Sequence, residues 1–261
     1  MSPTTSGRTA FSTQLRAVVA VAVAVPAHAA RATGALVGMP GTDALRLSAR
    51  LLIRSLPVVV VVAFFSGAML TVQAASSLQT FGARGLSGML VGFGGVREVF
   101  PLLACAALAA RSGAEFASEI GALRGGRQLD ALELMGLSPL RLVVAPRLFA
   151  AMVGAPICVL ASCVSGLFGA HVIGVLQLGI DRGAMWSSLS AAIVGADFAA
   201  GFFKGVVLGW LVGVVATREG LQADGGAAGV GRAANRAVVR SMIAVCSVSL
   251  LLSFAIYGRV S

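Results

Sequence analysis

What most constrains this chain is a set of five apolar stretches, each of roughly twenty residues or more, the length a helix needs to cross a bilayer. They run from about Leu56 to Leu78, Val99 to Glu119, Leu142 to Leu178, Ala191 to Ala216 and Val238 to Tyr257. A soluble domain carries about a quarter of its residues as Asp, Glu, Lys and Arg. Here the charged share is 11%, the apolar share 57%, and the mean hydropathy +0.93. In lipid every backbone polar group must be satisfied within its own segment, so long apolar runs imply helices. The expected class is an all-α integral membrane protein: an N-terminal interfacial helix, then five transmembrane helices, with a cytoplasmic coupling helix between spans two and three.

Two readings compete at the N-terminus. Arg8 and Arg16 precede the apolar Ala17 to Val25, and Ala27-His28-Ala29 resembles a signal-peptidase site, as in a cleaved signal over residues 17–30. Against this, Phe11, Leu15, Val18, Val19 and Ala22 follow a helical period between basic flanks, as in an interfacial helix. Residues 1–45 are therefore set apart as a basic segment from a membrane domain over 46–261. The third apolar stretch is too long for one upright helix, which implies tilt, a break near Pro156 or an extension beyond the membrane. Asp181 to Leu189 reads as a short surface helix.

Arginine placement sets the expected orientation, because positive loops stay on the cytoplasmic side. Arg111, Arg124, Arg127, Arg141 and Arg147 lie in one connection, and Arg218, Arg232, Arg236 and Arg240 in another. The alternate connections hold only Arg84 and Arg97, and Arg182. That pattern predicts a cytoplasmic N-terminus and a periplasmic C-terminus.

Several chemistries are excluded. The net charge of +10 is spread between apolar segments without interleaved aromatics, so it reads as topology and anchoring, not as nucleic-acid binding. Cys105, Cys158, Cys163 and Cys246 sit inside apolar stretches with no metal-ligand spacing. There is no GxxxxGK[ST], so ATP, if used, is bound by another subunit and no cofactor by this chain. Gly85-Leu86-Ser87-Gly88 resembles a serine-protease GxSG with His171 as its base, a pattern that chance readily produces among 33 glycines.

Charges at membrane depth are functional candidates. Arg97 and Glu98 stand where span two begins. Asp197 and Lys204, two helical turns apart on span four, share a face. They read either as contacts for a ligand at a cavity mouth or as structural ion pairs between helices. Gly201, Gly205, Gly209 and Gly213 form a ladder that lets another helix approach closely, preferentially one of the same chain. Between spans two and three, Leu129, Leu132, Met135 and Leu137 make an apolar face flanked by Arg127, Asp130 and Glu133, ended by Pro139. A helix of this kind suits docking to a soluble partner.

Three blocks resemble the MlaE/YrbE permeases of MCE-associated ABC lipid transporters. The first is Arg97-Glu98-Val99-Phe100-Pro101 with Ala110-Arg111-Ser112-Gly113-Ala114-Glu115 and Glu119-Ile120-Gly121. The second is Gln128-Leu129-Asp130-Ala131-Leu132 with Met135-Gly136, Pro139 and Pro146-Arg147. The third is Gly226 to Ala233 followed by Arg236-Ala237-Val238-Val239. The resemblance implies a permease domain over 46–261 that pairs with a second permease copy as a homodimer in the bacterial inner membrane. It implies a cytoplasmic ABC ATPase as partner, a periplasmic or surface MCE-domain protein, and a phospholipid or related lipid as cargo. Lipid contacts are then expected at Arg97, Glu98, Asp197 and Lys204, with Leu70, Val72 and Leu78 along the acyl chains. Coupling to the ATPase is expected at Glu119, Arg124, Arg127, Asp130, Leu132, Glu133 and Met135. The chain departs from the usual family residues at Arg127, Ser138 and Ala228, and at Phe100, which is expected to reshape the cavity entrance. The rival function is a self-sufficient channel or secondary transporter built on the charge cluster.

Overall fold

The computed structural model describes residues 28–36 and 41–258, and every regular element among them is helical. After a short helix at residues 28–34 come α1 (Gly41–Gln79), α2 (Ser87–Val91), α3 (Phe100–Leu108), α4 (Ala114–Gly125) and α5 (Gln128–Leu134). There follow α6 (Ala145–Leu176), α7 (Arg182–Ala192), α8 (Gly195–Leu221) and α9 (Gly226–Tyr257). Three stretches, Gly92–Val99, Ala109–Gly113 and Leu140–Val144, widen into π-helix. Continuous through these turns, five helical segments are long and apolar enough to cross a membrane: Ala44–Gln79, Arg84–Gly125, Leu140–Leu176, Gly195–Leu221 and Gly226–Tyr257. The chain is thus an all-α, multi-pass membrane protein, as its apolar runs imply. The choice between interfacial helix and cleaved signal falls mainly on residues 17–27, outside the described residues.

Pro156 does not break the third span. α6 runs uninterrupted for 32 residues, about 48 Å of helix against a hydrocarbon core of about 30 Å. Of the three expectations, the break is excluded, and tilt or extension takes up the excess length. α7 fits the short helix expected at Asp181 to Leu189, and Asp181 caps it by accepting a hydrogen bond from the Ala184 backbone N–H at 3.0 Å.

Contacts divide the chain into two compact units. The first comprises Met1–Leu47, Ala109–Ala150 and Trp210–Val245; the second comprises Ser48–Leu108, Ala151–Gly209 and Cys246–Ser261. In the second unit helices meet through glycine. A β-carbon on Gly67 would fall 1.9 Å from the Gly166 carbonyl oxygen, and one on Gly169 2.2 Å from that of Phe64, so α1 and α6 cross backbone to backbone. The ladder on α8 faces the same helix. A β-carbon on Gly205 would lie 2.6 Å from Pro156 Cα and one on Gly209 2.4 Å from Ala151 O, whereas Gly201 has 3.6 Å of room. The ladder contact of these three glycines is therefore intramolecular. Phe100 is fully buried, its ring seated against Gly95 and Gly166. It fills the interior of the unit and does not stand at a cavity entrance, because two glycines clear the volume it needs.

The first unit has its own apolar core of Ile120, Leu129 and Val143, with Leu123, Leu132 and Leu221 packed against it. Gly220 allows α8 to approach α4, since a β-carbon there would meet Ala117 O at 2.9 Å. The helix at residues 28–34 docks by burying Ala29 and Ala32, and His28 Nε2 lies 3.3 Å from the Thr217 hydroxyl.

Candidate functional site

The four charges singled out in the sequence come together in the second unit. The π-helical turn Gly92–Val99 carries Arg97 and Glu98, and α8 carries Asp197 and Lys204. Arg97 Nε lies 2.9 Å from Asp197 Oδ1. Lys204 Nζ donates to Arg97 O at 2.7 Å, to Glu98 Oε1 at 3.1 Å and to Ser253 Oγ at 2.8 Å. An ammonium group has three N–H donors, and here each has an acceptor. Ser253 in turn donates to Glu98 Oε2 at 2.6 Å, so α9 closes the network. Asp197 also accepts from the Val194 backbone N–H at 3.1 Å, which ties the carboxylate to the start of α8.

Exposure separates the four. The side chains of Lys204 and Asp197 are 1% and 6% exposed, those of Arg97 and Glu98 29% and 44%. Two positive and two negative charges cancel, as desolvated ions in an apolar setting require. Arg97 also lies 4.6 Å from the Phe93 ring and 5.0 Å from that of Tyr257, a position that adds cation–π attraction on both sides. Reachable from outside are thus one guanidinium and one carboxylate, adjacent in sequence, each held from behind by a buried counter-ion. Phe93, Ser253 and Tyr257 belong to the cluster and were not singled out by sequence. A serine late in an apolar span and the only tyrosine of the chain were the available signals.

The expected acyl-chain residues separate. Leu70 lines a cavity of ≈ 200 Å³ with Gln73, Leu90, Gly94 and Val99, directly along the Arg97 turn. Leu78 does not line it. Its carbonyl accepts from the Phe81 and Ala83 backbone N–H groups at the end of α1. Val72 is exposed on the α1 surface.

The first unit carries the connection expected to dock a partner. Arg127, at φ 55°, turns the chain sharply into α5, and Gly136, at φ 73°, turns it out again. This fixes which side of a seven-residue helix faces inward. Leu129 and Leu132 enter the core of the unit, while Leu134, Met135 and Leu137 point outward at 90%, 65% and 46% exposure. The expected single apolar face is therefore split, because the two left-handed residues, not the apolar periodicity, set the rotation of the helix. Beside α5 lies a groove of ≈ 690 Å³ lined by Arg124, Arg127, Asp130, Glu133 and Asp224. Glu119 accepts from Arg147 at 2.8 Å, and Arg124 reaches Leu221 O and Asp224, so these two serve contacts within the unit.

The protease motif has no supporting geometry. Ser87 is fully buried and its hydroxyl has no hydrogen-bond partner among the described residues, and the ring of His171 packs edge-on against Trp186.

Comparison with known proteins bears on the whole assembly of features. The family model described as Permease MlaE matches residues 44–255. A probable ABC transporter permease protein of Rickettsia prowazekii is 34% identical over 191 residues, covering 73% of this chain and 74% of the relative. The intermembrane phospholipid transport system permease protein MlaE of Haemophilus influenzae is 29% identical over 207 residues, 79% of each chain. A probable ABC transporter permease protein of Synechocystis is 31% identical over 203 residues, with 78% and 77% covered. The family model reaches all five membrane helices, and the chain belongs to the MlaE permease family.

Proposed function

We propose that this chain is the permease subunit of an ABC transporter that moves phospholipid or a related lipid between the inner membrane and the cell envelope. The observation that carries the reading is the reachable Arg97–Glu98 pair backed by buried Asp197 and Lys204, in a chain whose family match covers every span. A zwitterionic or anionic head group offers a phosphate to Arg97, and an ammonium, where present, to Glu98. Lys204 acts as a positioning residue, because its three donors already hold the turn that presents the pair. Leu70 and its cavity receive part of an acyl chain.

In this reading the chain binds no cofactor, and ATP is hydrolysed on a cytoplasmic ABC ATPase. Arg127, Asp130 and Glu133 line the docking groove, and Leu134, Met135 and Leu137 form the apolar tip that enters the ATPase. Glu119 and Arg124 brace the elements behind it. Two copies form the membrane assembly, with an MCE-domain protein on the periplasmic side and both arginine-rich connections in the cytoplasm. The test is ATP-dependent movement of a labelled phospholipid in liposomes that contain the permease with its ATPase and MCE protein. Transfer that requires ATP and falls with Arg97→Ala supports the proposal; transfer indifferent to both counts against it.

A further inference from the structure

Glu219, near the end of α8, is 1% exposed and is shared by three arginines. Arg236 Nε lies 3.2 Å from its Oε2, Arg218 Nη1 3.3 Å from its Oε1, and Arg240 Nη1 also contacts Oε1. Among the described residues Glu219 is the only carboxylate paired with any of them, so the group carries a surplus of positive charge. Each guanidinium has five N–H donors. The carboxylate engages only the Nε of Arg236 and one Nη each of Arg218 and Arg240. The remaining donors belong to side chains that are 17%, 40% and 30% exposed for Arg218, Arg236 and Arg240. A buried anion thus holds three cations, whose outer edges meet no other carboxylate among the described residues.

The depth of the group follows from α9. Residues 241–257 contain no charged side chain, a run of about 26 Å of helix that takes up most of a hydrocarbon core of about 30 Å. Arg240 and Arg236 therefore stand at and just beyond one edge of the apolar layer, at the level where lipid phosphates lie. Three guanidiniums with unused forks at that level match a phosphate in charge and in geometry. They repel the ammonium of a zwitterionic head group, which favours a lipid with net negative charge.

We propose that Arg218, Arg236 and Arg240, held around Glu219, form a binding site for the phosphate of an anionic lipid head group at this membrane surface. The site is separate from the Arg97–Glu98 cluster, and it depends only on the chain crossing a membrane, not on the transport proposed above.

The test uses the full chain in neutral detergent, titrated with phosphatidylglycerol, phosphatidylcholine or inorganic phosphate, and read by native mass spectrometry and melting temperature. Phosphatidylglycerol is expected to be retained in preference and to raise the melting temperature. Arg236→Gln with Arg240→Gln should weaken its retention about tenfold or more and leave phosphatidylcholine unaffected. Arg232→Gln, which removes one charge from the same helix outside the group, should change neither. If the double glutamine variant does not fold, Arg236→Lys with Arg240→Lys carries the test: charge is kept, the fork is lost, and the preference should shrink. An undiminished preference in these variants, or equal binding of both lipids by the wild type, overturns the proposal. An equal effect from inorganic phosphate overturns the lipid assignment.

Discussion

Lys204 donates to the backbone carbonyl oxygen of Arg97 at 2.7 Å, so the amine of one charged residue fixes the peptide of another. The contact joins α8 to a π-helical turn whose extra width frees backbone carbonyls for such bonds. Through it the buried lysine helps determine where the partly exposed arginine and glutamate stand.

Replacing Lys204 by methionine should therefore act first on stability. It leaves the Arg97 carbonyl, Glu98 Oε1 and Ser253 without their shared donor. The cost should be about 2 kcal/mol, below the full value for a buried pair because Glu98 is partly solvated. A lowered melting temperature in detergent checks this, and an unchanged one contradicts it.

Arg97→Lys separates binding from folding. The charge remains, but the contact with both Asp197 oxygens (2.9 and 3.3 Å) becomes a single one. Lipid transfer should fall about tenfold while the melting temperature changes little, since a fork is lost and a charge is not. The check is the ratio of transfer rate to melting-temperature shift across Arg97→Lys and Lys204→Met.

The glycine ladder gives a graded series. Gly201→Ala has 3.6 Å of space and should be tolerated, whereas Gly205→Ala and Gly209→Ala drive a methyl group into the backbone of α6 at 2.6 and 2.4 Å. Expression and monodispersity in size-exclusion chromatography should follow that order. Equal behaviour of the three variants would show that α8 does not pack on α6 through these positions.

Docking and folding should come apart at α5. Leu134 is 90% exposed, so Leu134→Asp should leave the melting temperature unchanged while reducing recovery of the ATPase. Asp130→Arg and Glu133→Arg, on the groove wall, should uncouple ATP hydrolysis from transfer. Wild-type co-purification of the ATPase with all three variants would remove the docking role.

The helix at residues 28–34 should release in acid. Burial, aided by the charges of Arg218 and Arg31, holds the His28 imidazole below its usual range. The docked state thus favours the neutral ring, and the undocked state binds the proton more readily. Docking should be complete above about pH 6.5 and weaken as pH falls below that value. Hydrogen-exchange protection factors of residues 28–36, corrected for the intrinsic pH dependence of exchange, should fall between neutral and mildly acidic pH in the wild type and stay constant in His28→Gln.

Much of the fold was legible because lipid imposes length and composition on a span. The five membrane helices, the short helix α7, the α8 glycines and the grouping of Arg97, Glu98, Asp197 and Lys204 could all be read from local pattern. What pattern could not supply were relationships fixed by packing. In the π-helical turn Gly92–Val99, the glycines at 92 and 95 leave room for Ala192 and Phe100, neighbours distant or unmarked in the local pattern. The saturation of Lys204 depends on Ser253, 49 residues away. In α5, seven residues are too few for periodicity to choose a face, so the inward packing of Leu132 and the exposure of Leu134 were not legible. Glu219 was hidden because the three charges around it, Arg218, Arg236 and Arg240, looked like ordinary topology signals.

The central claim is that this chain works as one subunit of an ATP-driven lipid transporter. The most direct measurement is gentle purification of the tagged protein from its native membrane, with mass spectrometry of every polypeptide that travels with it. The account predicts a P-loop ATPase and an MCE-domain protein in the complex. Recovery of this chain alone, under conditions that preserve other membrane complexes, would contradict it.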